Sequence, residues 1–368
     1  MDSFCPVVEG STVSAHQCLT LGAILRAFLT ALLPLLKLGK HKLRVLWRLA
    51  VCGTPALAPI FLLVPTARIG IGRHAPVGTV NSLVLANQRR LYPLLFECAA
   101  QSLLEFGRNR LQGDLGITAV LHTWEQKLDF HPHLHCIVTA GALSPDRKQW
   151  HSPKQRKFLF PLRALGALFR GKFLAGLAQM LDSAELHLPD SQLTIPASCA
   201  RWFSLLYSKR WVLYAKRPFG GAQQVLRYLA NYTHRVALSN RRIIAFDVQH
   251  QSVTFTYRDY RHGSQLKELT LSALEFIRRF SLHILPSGLV RIRHYGILGN
   301  NRRKRDIQAA RAIFERRGRA LELQPQSVPD KPMTCPLCQK PGFRLVAFTD
   351  AAGLLHLIGV GPLLCDSS

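Results

Sequence analysis

The hydrophobic positions change period along the chain. Leu91, Leu94, Leu95, Ala99, Leu103 and Phe106 recur at helical spacing. That spacing predicts an amphipathic helix over 87–111, broken by Gly113 and Gly116. Residues 117–126 and 133–141 then read as two strands joined by a short polar turn. The segment GALSPDRKQW, 141–150, reads as a loop. Helical spacing returns over 158–181, with Leu162, Leu165, Leu168 and Phe169 on one face. A loop carrying Pro189 and Pro196 comes next, then two basic and aromatic stretches, 202–207 and 211–216. Beyond these the pattern predicts a helix over 222–232, a hairpin from 241–247 and 252–258, and a helix over 269–280.

The first eighty residues have a different texture. No acidic residue stands between Glu9 and Glu97, and the most apolar runs, 21–38 and 55–65, lie there. Three readings stay open for 1–80. The run 21–38 has a marginal length for a membrane helix, with Arg26 and Pro34 inside it and Lys37 near its end. The region also reads as poorly formed helix without strong periodicity. Finally, it reads as a stretch foreign to the rest of the chain, as if the reading frame had changed. An acidic start and the lack of a small-residue cleavage site argue against a signal peptide.

Charge narrows the partners. The 368 residues carry 48 Lys and Arg against 21 Asp and Glu, a formal +27. Such an excess draws phosphate polyanions, nucleic acid first and acidic membranes second. A hydrophobic content of 48% excludes a mainly disordered basic tail. Nine Cys in 368 residues make no disulfide framework, so a reducing, intracellular setting is expected. Residues 291–319 hold ten Lys and Arg against Asp306 and Glu315, and read as helical and solvated. The final residues, with Pro325, Pro329, Pro332 and Pro336, read as a linker and a small tail.

Chemistry is concentrated at His131-Pro-His133-Leu-His135-Cys136, which runs into a hydrophobic strand. Alternate residues of a strand share a face, so His133 and His135 project side by side. Two imidazoles so placed can share one divalent ion. If the two strands pair with an odd register sum, His122, Trp124 and Gln126 share that face. His122 or Gln126 would then offer a third ligand across the pair. An even sum would offer Glu125 instead. Further on, Tyr228 and Tyr232 lie one helical turn apart. With Val225 and Leu229 they also fit an ordinary core stripe. Lys216, Arg217, Arg227, His234 and Arg235 around them are not what a buried stripe needs. A phenol is a poor nucleophile at neutral pH, and a metal that neutralises a phosphate would help it attack.

A histidine–hydrophobic–histidine strand followed by Tyr-x-x-x-Tyr resembles the HUH endonuclease superfamily. The segments HTWEQ, HPHLHCIV, GALSPD, LFRGKFL, YAKRPFGG, YLANYTHRVALSN, YRDY, LEFIRRF and LVRIRHYG resemble the double-tyrosine rolling-circle transposases of bacterial insertion sequences. The likeness runs from about 81 to 305. It implies an α+β catalytic domain: an antiparallel sheet bearing the histidines, helices on one side, and the tyrosine helix facing the metal. It implies transfer of single-stranded transposon-end DNA in the bacterial cytoplasm, at the nucleoid, without a nucleotide cofactor. His133 and His135 would hold Mg²⁺ or Mn²⁺. Tyr228 or Tyr232 would attack a DNA phosphate, and the second tyrosine would allow a second cleavage. Lys216, Arg217, Arg227, Arg235, Arg291, Arg293, Arg302 and Arg303 are expected along the DNA path.

The chain departs from that family in its first part. Cys5, Cys18 and Cys52 show none of the paired cysteines of the usual zinc-binding region. The early sheet strand is not recognisable in 70–80, so the sheet is expected to lack an edge. Cys335-x-x-Cys338 resembles half a zinc site, with Cys365 as the one other nearby cysteine, and no complete site is expected. Two other readings remain: a DNA-binding remnant unable to cleave, and a membrane-associated protein.

Overall fold

A computed structural model describes residues 21–32, 35–36, 38–51, 66–70, 77–153, 160–209, 211, 213–215, 237–260, 263–318, 347–349 and 355–357. The chain divides into two compact units, 1–317 and 318–368. In the second, β11 (Ala347–Thr349) and β12 (Leu355–Leu357) form an antiparallel pair. The fold is α+β, and the first unit holds both of its large cores.

At the centre of the first unit is a five-stranded antiparallel sheet. β2 (Gly116–Trp124) and β3 (Phe130–Val138) form the predicted hairpin at the middle. β10 (Ile292–Gly296) flanks β2; β1 (Thr66–Gly70) and then β6 (Tyr214–Ala215) lie beyond β3, while β4 (Ala142–Leu143) and β5 (Trp150–His151) pair as a separate short hairpin that closes the loop 141–150. Alternation gives the sheet two unlike faces. Ile117, Ala119 and Leu121 of β2 join Leu134, Cys136 and Val138 of β3 in one apolar core. Three helices supply that core's other wall: α4 (Gln88–Leu111), α5 (Leu162–Asp182) and α6 (Pro196–Ser208). Leu91, Leu95, Ala99 and Leu103 of the periodic stripe are all buried there. α3 (Val77–Ala86) adds Val80, Leu83 and Val84. Asn87 ties the α3–α4 junction down. Its amide donates to the Leu83 and His187 carbonyls at 2.9 and 2.7 Å and accepts the His187 N–H at 2.7 Å.

A second core forms around a three-stranded sheet, β7 (Ile243–Asp247), β8 (Ser252–Asp259) and β9 (Gln265–Ser272). Val253 and Phe255 pack with Ala273, Phe276, Ile277 and Phe280 of α7 (Ala273–Ser281). Leu21, Ile24, Leu25, Phe28, Leu29 and Leu32 of α1 (Leu21–Leu32) and Leu46 of α2 (Lys40–Val51) complete it. The apolar stretch 21–32 is therefore a helix that walls this second core. Among the described residues no helix is long and apolar enough to cross a membrane.

Four expectations change. Residues 269–272, expected to begin a helix, are the second half of the strand 265–272. Leu269 and Leu271 alternate with Glu268 and Thr270, and Ser272 caps α7 by accepting the Glu275 N–H at 3.3 Å. Pro196 opens α6 instead of sitting in a loop, because proline is well placed in a first helical turn. The stretch 291–319 is not all helix: β10 completes the sheet before α8 (Arg303–Arg316) begins. Gly296 makes the end of β10 possible. Its φ is +62°, and a Cβ there would meet the Leu115 carbonyl oxygen. Last, an early strand exists. It lies at 66–70, before the segment expected to hold it, and with β6 it covers the side of β3 expected to be an open edge.

Candidate metal centre

The hairpin pairs His122 with His133 and Val120 with His135. The register sum is odd, so β2 turns its even residues and β3 its odd residues to the face opposite the helical core. Three imidazoles meet there. One nitrogen from each of His122, His133 and His135 lies within 4.8 Å of the others. All three rings are buried, at 3%, 2% and 6% exposure.

The rings are oriented by their surroundings. His133 Nδ1 donates to the His131 carbonyl at 2.7 Å. A carbonyl only accepts, so in the neutral ring Nε2 carries the lone pair. That Nε2 is 3.2 Å from His135 Nε2, a spacing suited to two ligands of one ion. His122 lies flat against Trp124, with centroids 4.6 Å apart and planes at 16°. Trp124 in turn packs against the second core, so the outer end of β2 is anchored by the α1–α7 layer.

The turn after β2 is pinned by a residue the sequence pattern did not single out. His283, just beyond α7, has Nε2 3.0 Å from the Leu128 carbonyl and Nδ1 3.2 Å from Thr123 Oγ1. Nε2 must donate, so Nδ1 accepts the hydroxyl proton. Burial, aided by Lys42, holds the His283 pKa down at about 4. It is a neutral clamp between Thr123 and Leu128, next to the ligand strand. Only the fold brings it there from 160 residues away.

The remaining candidates fall in different places. Gln126 lies in the turn past β2, where its side-chain oxygen accepts the Arg258 N–H at 3.2 Å and its carbonyl accepts from Arg242. Glu125 stands 3.8 Å from His131. Arg302 binds Asp114 at 2.6 Å and Asp306 at 3.0 Å. Arg293 lies over the Phe96 ring, 4.5 Å from its centroid. Arg291 is half-buried, which lowers its pKa, and its carbonyl accepts the Leu121 N–H. Arg303 is exposed. Tyr228, Tyr232, Lys216, Arg217, Arg227 and Arg235 lie outside the described residues, as do Cys335, Cys338 and Cys365.

An antiparallel sheet with three buried imidazoles converging on the face opposite the helical core suits a divalent ion whose remaining coordination positions are filled by other ligands. The chemistry of the donors fits: neutral imidazoles bind borderline divalent ions, and oxygen ligands can fill the remaining positions. His122, His133 and His135 would hold it.

Comparison with known proteins gives the family. The model of the Y2_Tnp family, described as "Putative transposase", matches residues 116–305, just over half of the chain. The chain belongs to this family. It is 41% identical over 239 residues to "Putative transposase y4qJ" of Sinorhizobium fredii, covering 64% of this chain and 59% of that protein. It is 28% identical over 221 residues to "Transposase for insertion sequence element IS801" of Pseudomonas savastanoi pv. phaseolicola, covering 58% of this chain and 50% of that protein. The chain thus matches only half to three-fifths of each relative's length. No solved structure matches it.

Proposed function

We propose that this chain cleaves and rejoins single DNA strands as a rolling-circle transposase of the HUH type. The buried three-histidine cluster on the sheet face opposite the helical core carries the reading. A divalent ion such as Mg²⁺ or Mn²⁺ bound there would neutralise charge on a scissile phosphate. The phenolic oxygen of Tyr228 or Tyr232 attacks that phosphorus. The bond to the 3′ oxygen breaks, the tyrosine becomes joined to the 5′ phosphate, and the phenolic proton ends on the freed 3′ hydroxyl. The phosphotyrosine conserves the bond energy, so rejoining needs no nucleotide cofactor. The family, the relatives' names and the +27 charge support DNA as substrate.

The test is covalent adduct formation. The protein is incubated with labelled single-stranded insertion-element ends and Mn²⁺, then run on a denaturing gel. Wild type forms an adduct, Tyr228→Phe and Tyr232→Phe each retain part of it, and the double variant forms none. An active double variant refutes the tyrosine assignment. A wild type that binds DNA without forming an adduct supports the reading as a non-cleaving remnant.

A further inference from the structure

The sheet row that holds His135 continues across two more strands. His135 pairs with Arg68 of β1, and Arg68 pairs with Tyr214 of β6. Directly opposed residues of antiparallel strands project to the same face. Tyr214 therefore stands on the histidine face. Its neighbours agree in parity. Leu213 is buried in the helix-covered core, and Ala215 pairs through Ala67 with Cys136, a residue of that same core. Two strand spacings, about 10 Å, separate Tyr214 from His135 along the row. β6 is the sheet's edge, and Tyr214 is 60% exposed.

A single exposed aromatic is ordinary; its position is what sets this one apart. A polyanion drawn by the +27 charge and placed with one phosphate at the histidines has a route along this row, over β1 and β6 to the sheet's edge. Lys216 and Arg217 come two and three residues after Tyr214 in sequence. A phosphodiester brings a base on either side of each phosphate, and an unpaired base offers an open ring face. Stacking of bases on an exposed aromatic ring is one way single strands are held without regard to sequence.

We propose that Tyr214 is a stacking platform for an unpaired nucleobase flanking the phosphate held at the histidine cluster. The platform rests on the strand-transfer reading of that cluster. The phenol ring makes the contact and its hydroxyl is dispensable. A paired base in a duplex keeps its faces within the stack and does not reach the ring.

The experiment measures binding of the full chain to a fluorescein-labelled mixed-sequence single-stranded oligonucleotide. A duplex of the same sequence and single strands carrying 2-aminopurine at successive positions are run beside it. Tyr214→Ala should weaken single-strand binding by about 5- to 150-fold. Tyr214→Phe should bind as wild type does, and duplex binding should be the same for all three proteins. Quenching of 2-aminopurine at one position should disappear in Tyr214→Ala and persist in Tyr214→Phe. Wild-type affinity in Tyr214→Ala, with wild type forming its Mn²⁺-dependent adduct, overturns the platform and leaves strand transfer standing. Equal loss in both variants overturns it too, because the hydroxyl would then be the acting group. A wild type that neither binds single strands nor forms an adduct removes strand transfer and the platform together.

Discussion

Removing His122 separates the two candidates for a third ligand. His122 is 3% exposed and lies across the hairpin from His133, whereas the Gln126 side-chain oxygen is held by the Arg258 N–H. If the cluster binds Mn²⁺, the ion stabilises the folded chain by RT ln(1 + [Mn²⁺]/Kd), about 2.7 kcal/mol at one hundred times Kd. Loss of a partner that merely orients a ligand weakens metal binding by roughly 10- to 100-fold. Loss of a ligand itself should reach at least the upper figure. At the same Mn²⁺ concentration His122→Ala would then sit near its own Kd, with a stabilisation of about 0.4 kcal/mol. For a chain of this size about 1.3 °C of Tm accompanies each kcal/mol. Mn²⁺ should therefore raise the wild-type Tm by about 3.5 °C and the His122→Ala Tm by less than about 1 °C. Each protein is compared with its own metal-free melt, so packing lost against Trp124 cancels. Differential scanning calorimetry with and without Mn²⁺ gives the difference, and titration calorimetry gives Kd. Gln126→Ala should keep the full metal-induced shift. The opposite result, a silent His122→Ala and an impaired Gln126→Ala, would refute the three-histidine assignment.

Three further outcomes are expected. Asp306 has no exposed side chain and receives Arg147, Arg302 and Arg305 at 2.9, 3.0 and 3.0 Å; burial works against its charge, but these arginines hold its pKa below the ordinary carboxylate range. Asp306→Asn should cost about 1–3 kcal/mol, since the half-exposed guanidiniums can be rehydrated, and unchanged urea unfolding would show that the cluster does not hold α8 in place. His283 titrates near 4 when folded and near 6.5 when unfolded, so below pH 6.5 the unfolded chain binds more protons and stability falls as pH falls, by up to about 3 kcal/mol on reaching pH 4. Replacing His283 by Gln should flatten that window in a urea series, and an unchanged slope would discount the clamp. DNA binding should weaken with salt along a log–log slope of about −0.7 per phosphate contacted on single strands; a salt-independent affinity would remove the polyanion reading.

The hairpin was legible because its signals are local. His133 and His135 share a face by the period of a strand alone, and the stripe from Leu91 to Leu103 finds its core by the period of a helix. What the residues left open was the register, and with it the choice between His122, Gln126 and Glu125. A one-residue slip exchanges the faces of a strand. The odd register is selected because it puts Ile117, Ala119 and Leu121 into the helical core together with Leu134, Cys136 and Val138.

Other features depend on partners far along the chain. The apolar run at 21–32 looks foreign beside an acid-free sequence, yet it is buried once α7 and β8 stand opposite it. Arg302 reads as one cation in a run of charge, and only the fold brings Asp114 to it from 188 residues away. His283 carries no periodic signal, and Tyr214 reads as one aromatic among several until β1 places it in the His135 row. The sequence by itself determined the ligand type, the charge and the local elements, because these follow from side-chain chemistry and short-range period. Tertiary structure decided which groups meet, because burial and pairing depend on contacts between segments that are remote in the chain.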